Sequence, residues 1–204
     1  MYAYCENNPI NMADPIGTCA KHNTGTGFCY SCILEGKGNA NRALAAEYEL
    51  EQIFIAAKRA GGEDHTITGL SICTDGATGS YGSGSHQSQT AMSSRLGVKT
   101  PADEIPYIVI PLNHPQYDEL IGCMGIIIDH KTGKYIYAVV GDGGPEWGEV
   151  SLKAAWELGY TKASGAANGG ATGNFTIIVF EGTKQKWTSS GLYDQIQAAG
   201  KLLF

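Results

Sequence analysis

The apolar residues of this chain come in short runs, and glycine or proline breaks nearly every one. Residues 69–74, 106–111, 123–129, 135–140 and 175–181 are such runs, each six or seven residues long. That length suits strands and is short for helices. The stretch Asp129-His130-Lys131-Thr132-Gly133 has good turn chemistry and predicts a hairpin between the third and fourth runs. Many short strands parted by glycine-rich turns predict a mainly β (α+β) domain, a small β-barrel with peripheral helices. The 28 glycines fit such a loop-rich chain.

Helices are expected at three places. Leu44, Leu50, Ile53, Phe54 and Ala57 recur at three- and four-residue spacing and predict a helix over 41–59, stopped by Gly61 and Gly62. Residues 150–158 predict a second, ending at Gly159, and 192–203 a third. Two glycine-rich loops, 75–87 and 164–173, hold little that packs. Loops of that length inside a compact domain are commonly functional or disordered. No internal repeat is visible.

With 204 residues and 43% hydrophobic content, the chain can build one sizeable core and a short appendage. Residues 1–38 lack apolar periodicity and read as that appendage. A net charge of −6 without a basic block argues against nucleic acid as a partner and suits a cationic amino-sugar polymer. No apolar run approaches the roughly 20 residues of a membrane span, so no membrane partner is expected. No basic-then-apolar N-terminus marks an export signal in this fragment.

Four of the six cysteines fall early, at Cys5, Cys19, Cys29 and Cys32. The Cys29–Cys32 pair is half of a zinc pattern, but a second Cys-x-x-Cys is missing and His22 is irregularly spaced. Disulfides and free thiols stay open for these four, and neither a metal nor a cofactor is expected. Cys73 and Cys123 sit in apolar, strand-like contexts and read as small core residues.

The stretch 141–149, Gly-Asp-Gly-Gly-Pro-Glu-Trp-Gly-Glu, places Asp142, Glu146 and Glu149 on a glycine-rich loop behind a strand. Carboxylates presented this way can face one another across a cleft, as glycosidic hydrolysis requires. The plain alternative is a solvated surface turn. Seven extended residues span up to about 23 Å, so the loop has to fold back.

Two resemblances bear on these residues. Pro9-Ile10-Asn11-Met12-Ala13-Asp14-Pro15-Ile16-Gly17 resembles the Pro-x-x-x-x-Asp-Pro-x-Gly motif that ends the core of Rhs (YD-repeat) proteins. The resemblance implies that residues 1–17 close an Rhs core with its self-cleavage motif and that 18–204 are the released toxin, with 18–38 an extension or linker and 39–204 its domain. The second covers about residues 66–182 and is to glycoside hydrolase family 75, the fungal-type chitosanases. It is carried, in family order, by Thr74-Asp75-Gly76, His86-Gln87-Ser88-Gln89-Thr90, residues 103–111, the run 137–145 with Gly141-Asp142-Gly143-Gly144-Pro145, and Gly148-Glu149-Val150-Ser151. Cys73 stands where that family often carries an Asp. The Gly-Asp-x-Gly loop also looks like the aspartate loop of double-psi barrel lytic transglycosylases, which favours a double-psi-like barrel.

The resemblances imply an inverting glycoside hydrolase that cuts β-1,4 bonds in chitosan or peptidoglycan, as an antibacterial Rhs-delivered toxin. Asp142 and Glu149 are then the catalytic pair. Glu149 is expected to be the acid, beside Trp147 and at the start of an apolar helix where burial raises its pKa, with Asp142 the base. Asp75, His86, Gln87 and Glu146 are expected at the substrate, and Tyr81 and Trp147 would stack on sugar rings. Asp103 and Glu104 read as exposed or as a loop anchor. The implied partners are the polysaccharide, the Rhs shell before release and an immunity protein. The implied location is outside the producing cell or in the target's periplasm or cell wall. Two alternatives compete: a lytic transglycosylase acting on peptidoglycan, and a non-catalytic carbohydrate-binding module.

Overall fold

The computed structural model describes residues 39–81, 86–160 and 170–203, with the backbone alone for 39–47. The chain divides into two compact units, residues 1–52 and 53–204. Of the first unit, the described part is the leading portion of helix α1, Asn39–Arg59. The Rhs-like segment 2–17, the linker 18–38 with Cys5, Cys19, Cys29 and Cys32, and the loop stretches 82–85 and 161–169 lie outside the described residues.

In the second unit six strands close into a barrel. They are β1 (Glu63–Cys73), β2 (Tyr107–Pro111), β3 (Met124–Asp129), β4 (Lys134–Gly144), β5 (Glu149–Ser151) and β6 (Ala171–Val179). Their order around the barrel is β1-β5-β2-β4-β3-β6. β1–β5 and β2–β4 are parallel, and the other four contacts are antiparallel. Parallel neighbours need crossing connections, so this is not an up-and-down meander. Short helices α2 (Ala91–Leu96), α3 (Tyr117–Leu120) and α4 (Leu152–Glu157) and the longer α5 (Leu192–Leu203) lie in the connections and at the C-terminal side. No helix among the described residues is long and apolar enough to cross a membrane.

The expected hairpin is β3–β4, in register from Met124↔Val139 to Asp129↔Lys134. Asp129 builds its turn. Its carboxylate accepts the Lys131 amide at 2.9 Å and the Thr132 hydroxyl at 2.7 Å, and the Tyr160 hydroxyl at 2.8 Å. Gly133, at φ +71°, completes the reversal. A fully buried carboxylate is tolerated here because its oxygens are bonded.

Three elements differ from the expectation. β1 begins at Glu63 and β6 at Ala171, several residues early: the polar start of β1, Glu63 to Thr66, pairs with the far end of β6, and the start of β6 pairs with Thr68 and Leu70, so neither start carries an apolar signal. β4 does not stop at Val140 but continues through Asp142 to Gly144. The segment expected to be a helix from 150 opens as strand β5, and the helix starts at Leu152. Ser151 makes that switch. Its Oγ accepts the amides of Tyr107 at 3.0 Å and Ala154 at 3.2 Å, the second capping α4, and donates to the Ile105 carbonyl at 2.7 Å.

One row of paired residues, Ile72–Val150–Ile108–Val140, crosses four neighbouring strands. All four are fully buried. Burial of such a side chain contributes roughly 1.5–3 kcal/mol. Ile108 fills the barrel next to Gly125 of β3, where a Cβ would meet the Ile108 Cδ1 at 2.5 Å. Cys73 and Cys123 are buried free thiols, as expected of small core residues.

Candidate active site

Side chains alternate across a strand, so the residues next to the buried row face the other way, out of the barrel. On β5 that residue is Glu149, and on β2 it is Val109, its partner. Val109 also pairs on its other side with Asp142 of β4. Strands β4 and β5 thus flank β2, joined by residues 145–148 passing over its end, and the loop folds back as the chain length demanded. In-register neighbours share a face, so Asp142 and Glu149 project to the same side.

A β-bulge makes this possible. The β2–β4 register runs Ile108↔Val140 and then Val109↔Asp142, leaving Gly141 as the extra residue. Without it, Asp142 would pair with Ile110 and turn toward the barrel interior. A Cβ on Gly141 would sit 2.6 Å from the Tyr107 Cβ, so a glycine is required. The Gly-Asp dipeptide therefore has a structural meaning: the glycine bulges, and the bulge aims the aspartate.

Asp142 is 7% exposed. Its Oδ1 accepts the amides of Ala91 and Gly143, each at 2.9 Å. Its Oδ2 lies 3.9 Å from the Cys73 Sγ, which donates to it. Burial, opposed by the two amides and reinforced by neighbouring Asp75, pushes the Asp142 carboxyl up to about 6. Glu149 is half-buried, and burial, then Asp75 and Asp142, push its carboxyl up as well.

Asp75 follows the end of β1 and is the third acid of the cluster. Its Oδ1 accepts the Gln87 amide at 2.8 Å, and its carbonyl accepts the Tyr107 hydroxyl at 3.1 Å. The Gly76 amide bonds the Gln87 carbonyl at 2.8 Å, which closes the base of loop 75–87. Asp75, expected at the substrate, thus lies beside Asp142.

Donor atoms of Cys73, Asp75 and Asp142 all lie within 4.8 Å of one another. That spacing suits a cation, but a metal-bound cysteine is a thiolate. Burial pushes the Cys73 thiol up to about 12, and the thiol serves as a hydrogen-bond donor. Cys73 therefore reads as a neutral hydrogen-bond donor to Asp142 and not as a metal ligand.

The remaining expected site residues are spread around this centre. Trp147 caps the 145–148 connection, half-buried, with its ring stacked on His65 at 3.7 Å and edge-on to His114 at 5.8 Å. Glu63 holds both histidines, at 2.9 Å from His65 Nε2 and 3.3 Å from His114 Nε2. One face of the indole is thus already covered. Tyr81 packs edge-on against Trp156 at 5.8 Å. Asp103 is the loop anchor, accepting the amide and hydroxyl of Thr78 at 3.0 and 2.7 Å and the Gly79 amide at 3.2 Å. His86, Gln87 and Glu146 are exposed.

Burial does raise the Glu149 carboxyl as expected, but its surroundings differ from those the sequence suggested. Glu149 opens a strand and not a helix, and Trp147 lies against His65. Sequence reasoning also missed Tyr117 of α3. Its hydroxyl stands where a Cβ on Gly143 would go, and Asp142 contributes to raising its pKa after burial. A lone tyrosine in a four-residue helix carries no signal that would have found it. Neither a protein-family model nor a curated protein matches the chain.

Proposed function

We propose that the barrel unit is a glycoside hydrolase that cleaves β-1,4 bonds of an amino-sugar polymer with inversion. The observation that carries this reading is the placement of Asp142 and Glu149 on one face, on either side of Val109. Two strand spacings put their Cα atoms about 9–10 Å apart. Inversion needs the carboxyls about 6.5–9.5 Å apart and retention about 5–5.5 Å, and strands two spacings apart allow the wider value with a water between.

Asp142 is the acid and Glu149 the base, the reverse of the roles expected from sequence. Asp142 is the deeper group, and its carboxyl holds a proton up to about pH 6. It gives that proton to the leaving glycosidic oxygen as the C1–O bond breaks. Glu149, nearer solvent, takes a proton from the water that forms the new C1–OH bond. The developing positive charge at C1 is matched by the acidic surroundings, as is a protonated amino group on the substrate.

Digestion of chitosan and of peptidoglycan sacculi, read by mass spectrometry, tests this. Reducing-end oligosaccharides are expected, and Asp142→Asn and Glu149→Gln should not form them. Anhydro-sugar ends would establish the transglycosylase alternative, and binding without turnover would establish the carbohydrate-binding one. Delivery by an Rhs shell, with an immunity protein in the producer, rests on residues 2–17 alone. Retention of the full chain after expression, uncut near Gly17, would count against it.

A further inference from the structure

We infer that Asp75 is a positioning residue for the reaction: its carboxyl stands against that of Asp142 and helps hold the proton there. For its catalytic meaning the inference rests on the hydrolase reading above. Asp75 is fixed from two sides, by the Gln87 amide on Oδ1 and by Tyr107 on its carbonyl. Asp142 is fixed by two amides on Oδ1, which leaves Oδ2 to face the Cys73–Asp75 side. A carboxyl oxygen of Asp75 and one of Asp142 lie within 4.8 Å of each other, and Asp75 adds to the rise of the Asp142 carboxyl. A second carboxylate this close disfavours the ionised form of the more deeply buried Asp142, and a proton on Asp142 relieves that repulsion.

The other groups around Asp142 do not supply that proton's partner. Cys73 at the end of β1 stays a neutral thiol, pushed up by burial to about 12. Tyr107 of β2 and Tyr117 of α3 are both raised, chiefly by burial, and stay neutral. Arg95 of α2 is turned to Asp118 and to the Tyr117 ring, 4.9 Å from its centroid. Glu149 stands across Val109. Asp75 therefore adds to burial in keeping Asp142 protonated for its role as acid, while Glu149 stands across Val109 to act as base.

The experiment is a carbon-13 titration of the aspartate carboxyls, with Asp142 assigned by difference from Asp142→Asn, in wild type, Asp75→Asn and Asp75→Glu. Wild-type Asp142 is expected to titrate near pH 6. In Asp75→Asn, where an amide N–H can donate to ionised Asp142, the midpoint should fall by roughly one pH unit or more. The alkaline limb of kcat/KM should move down with it. Asp75→Glu should restore much of both. An Asp142 midpoint unmoved in Asp75→Asn overturns the pairing. If that variant does not fold, the wild-type titration decides, and an Asp142 midpoint at the ordinary carboxylate value of about 4 overturns it equally. Wild-type protein that shows the midpoint shift but cuts no polymer would remove the hydrolase reading and leave the pair standing.

Discussion

Asp142 and Glu149 are seven positions apart in sequence, yet each is the register partner of the same residue, Val109, from opposite sides. Two acids held this way cannot drift independently, because each is fixed by a strand backbone. Their separation is set by sheet geometry and not by loop conformation.

Gly141 is the residue on which this arrangement depends most. Gly141→Ala would drive a Cβ to within 2.6 Å of Tyr107, a fully buried ring that cannot move aside. The expected outcome is a stability loss of roughly 1–3 kcal/mol. Turnover should drop on the order of a hundredfold from the displaced Asp142. Urea unfolding and oligosaccharide release measure the two effects. An active, fully stable Gly141→Ala protein would show that the bulge does not aim the acid.

Glu149→Gln and Asp142→Asn are each expected to lower turnover by roughly 10²–10⁴-fold. Their effects on the fold should be small, since both replacements keep the shape. The side-chain amide that Asp142→Asn introduces also keeps an oxygen for the backbone amides of Ala91 and Gly143. Near-wild-type far-ultraviolet circular dichroism with lost activity is the expected pair of readings. Near-wild-type turnover in either variant would remove that residue from the chemistry.

Much of this was legible in the sequence, and the parts that were not share a cause. The runs that became β2, β3 and the first part of β4 announce themselves because both strand faces are buried there. β5 did not, because a three-residue strand followed at once by α4 gives one unbroken apolar run, and only the Ser151 cap divides it. Asp142 and Glu149 stood out as carboxylates, but their common face follows from a one-residue bulge that periodicity cannot locate. Asp75 was expected at the substrate, but its closeness to Asp142 was not legible, because the two are far apart along the chain and only the fold brings the end of β1 beside β4. The stacking of Trp147 on His65 is of the same kind: nothing local links the 145–148 turn to the start of β1.

Removal of divalent metal should change nothing. Cys73, Asp75 and Asp142 have ligand-like spacing, but a thiol pushed up to about 12 beside a carboxyl pushed up to about 6 is the opposite of a deprotonated ligand set. Dialysis against a chelator is therefore expected to leave both activity and melting temperature as they were. Loss of activity that zinc restores would show that the cluster binds metal as a thiolate site.

The pH dependence of stability and of activity should both trace back to Asp142. Its folded pKa of about 6 stands above the ordinary 3.8, so the native state binds the proton more tightly than the unfolded chain does. That contribution is fully present below about pH 3.8 and is lost as the pH rises through about 6. The difference corresponds to about 3 kcal/mol. Other carboxylates add their own slopes, so the clean measurement is the difference between wild type and Asp142→Asn. Asp142→Asn should gain relative stability as the pH rises from about 4 to about 7, and the difference should then level off. Activity should lose its alkaline limb over the same window, since the ionised acid cannot protonate the leaving oxygen. A stability difference that stays flat across that range would mean Asp142 is ionised throughout, and the acid role would pass back to Glu149.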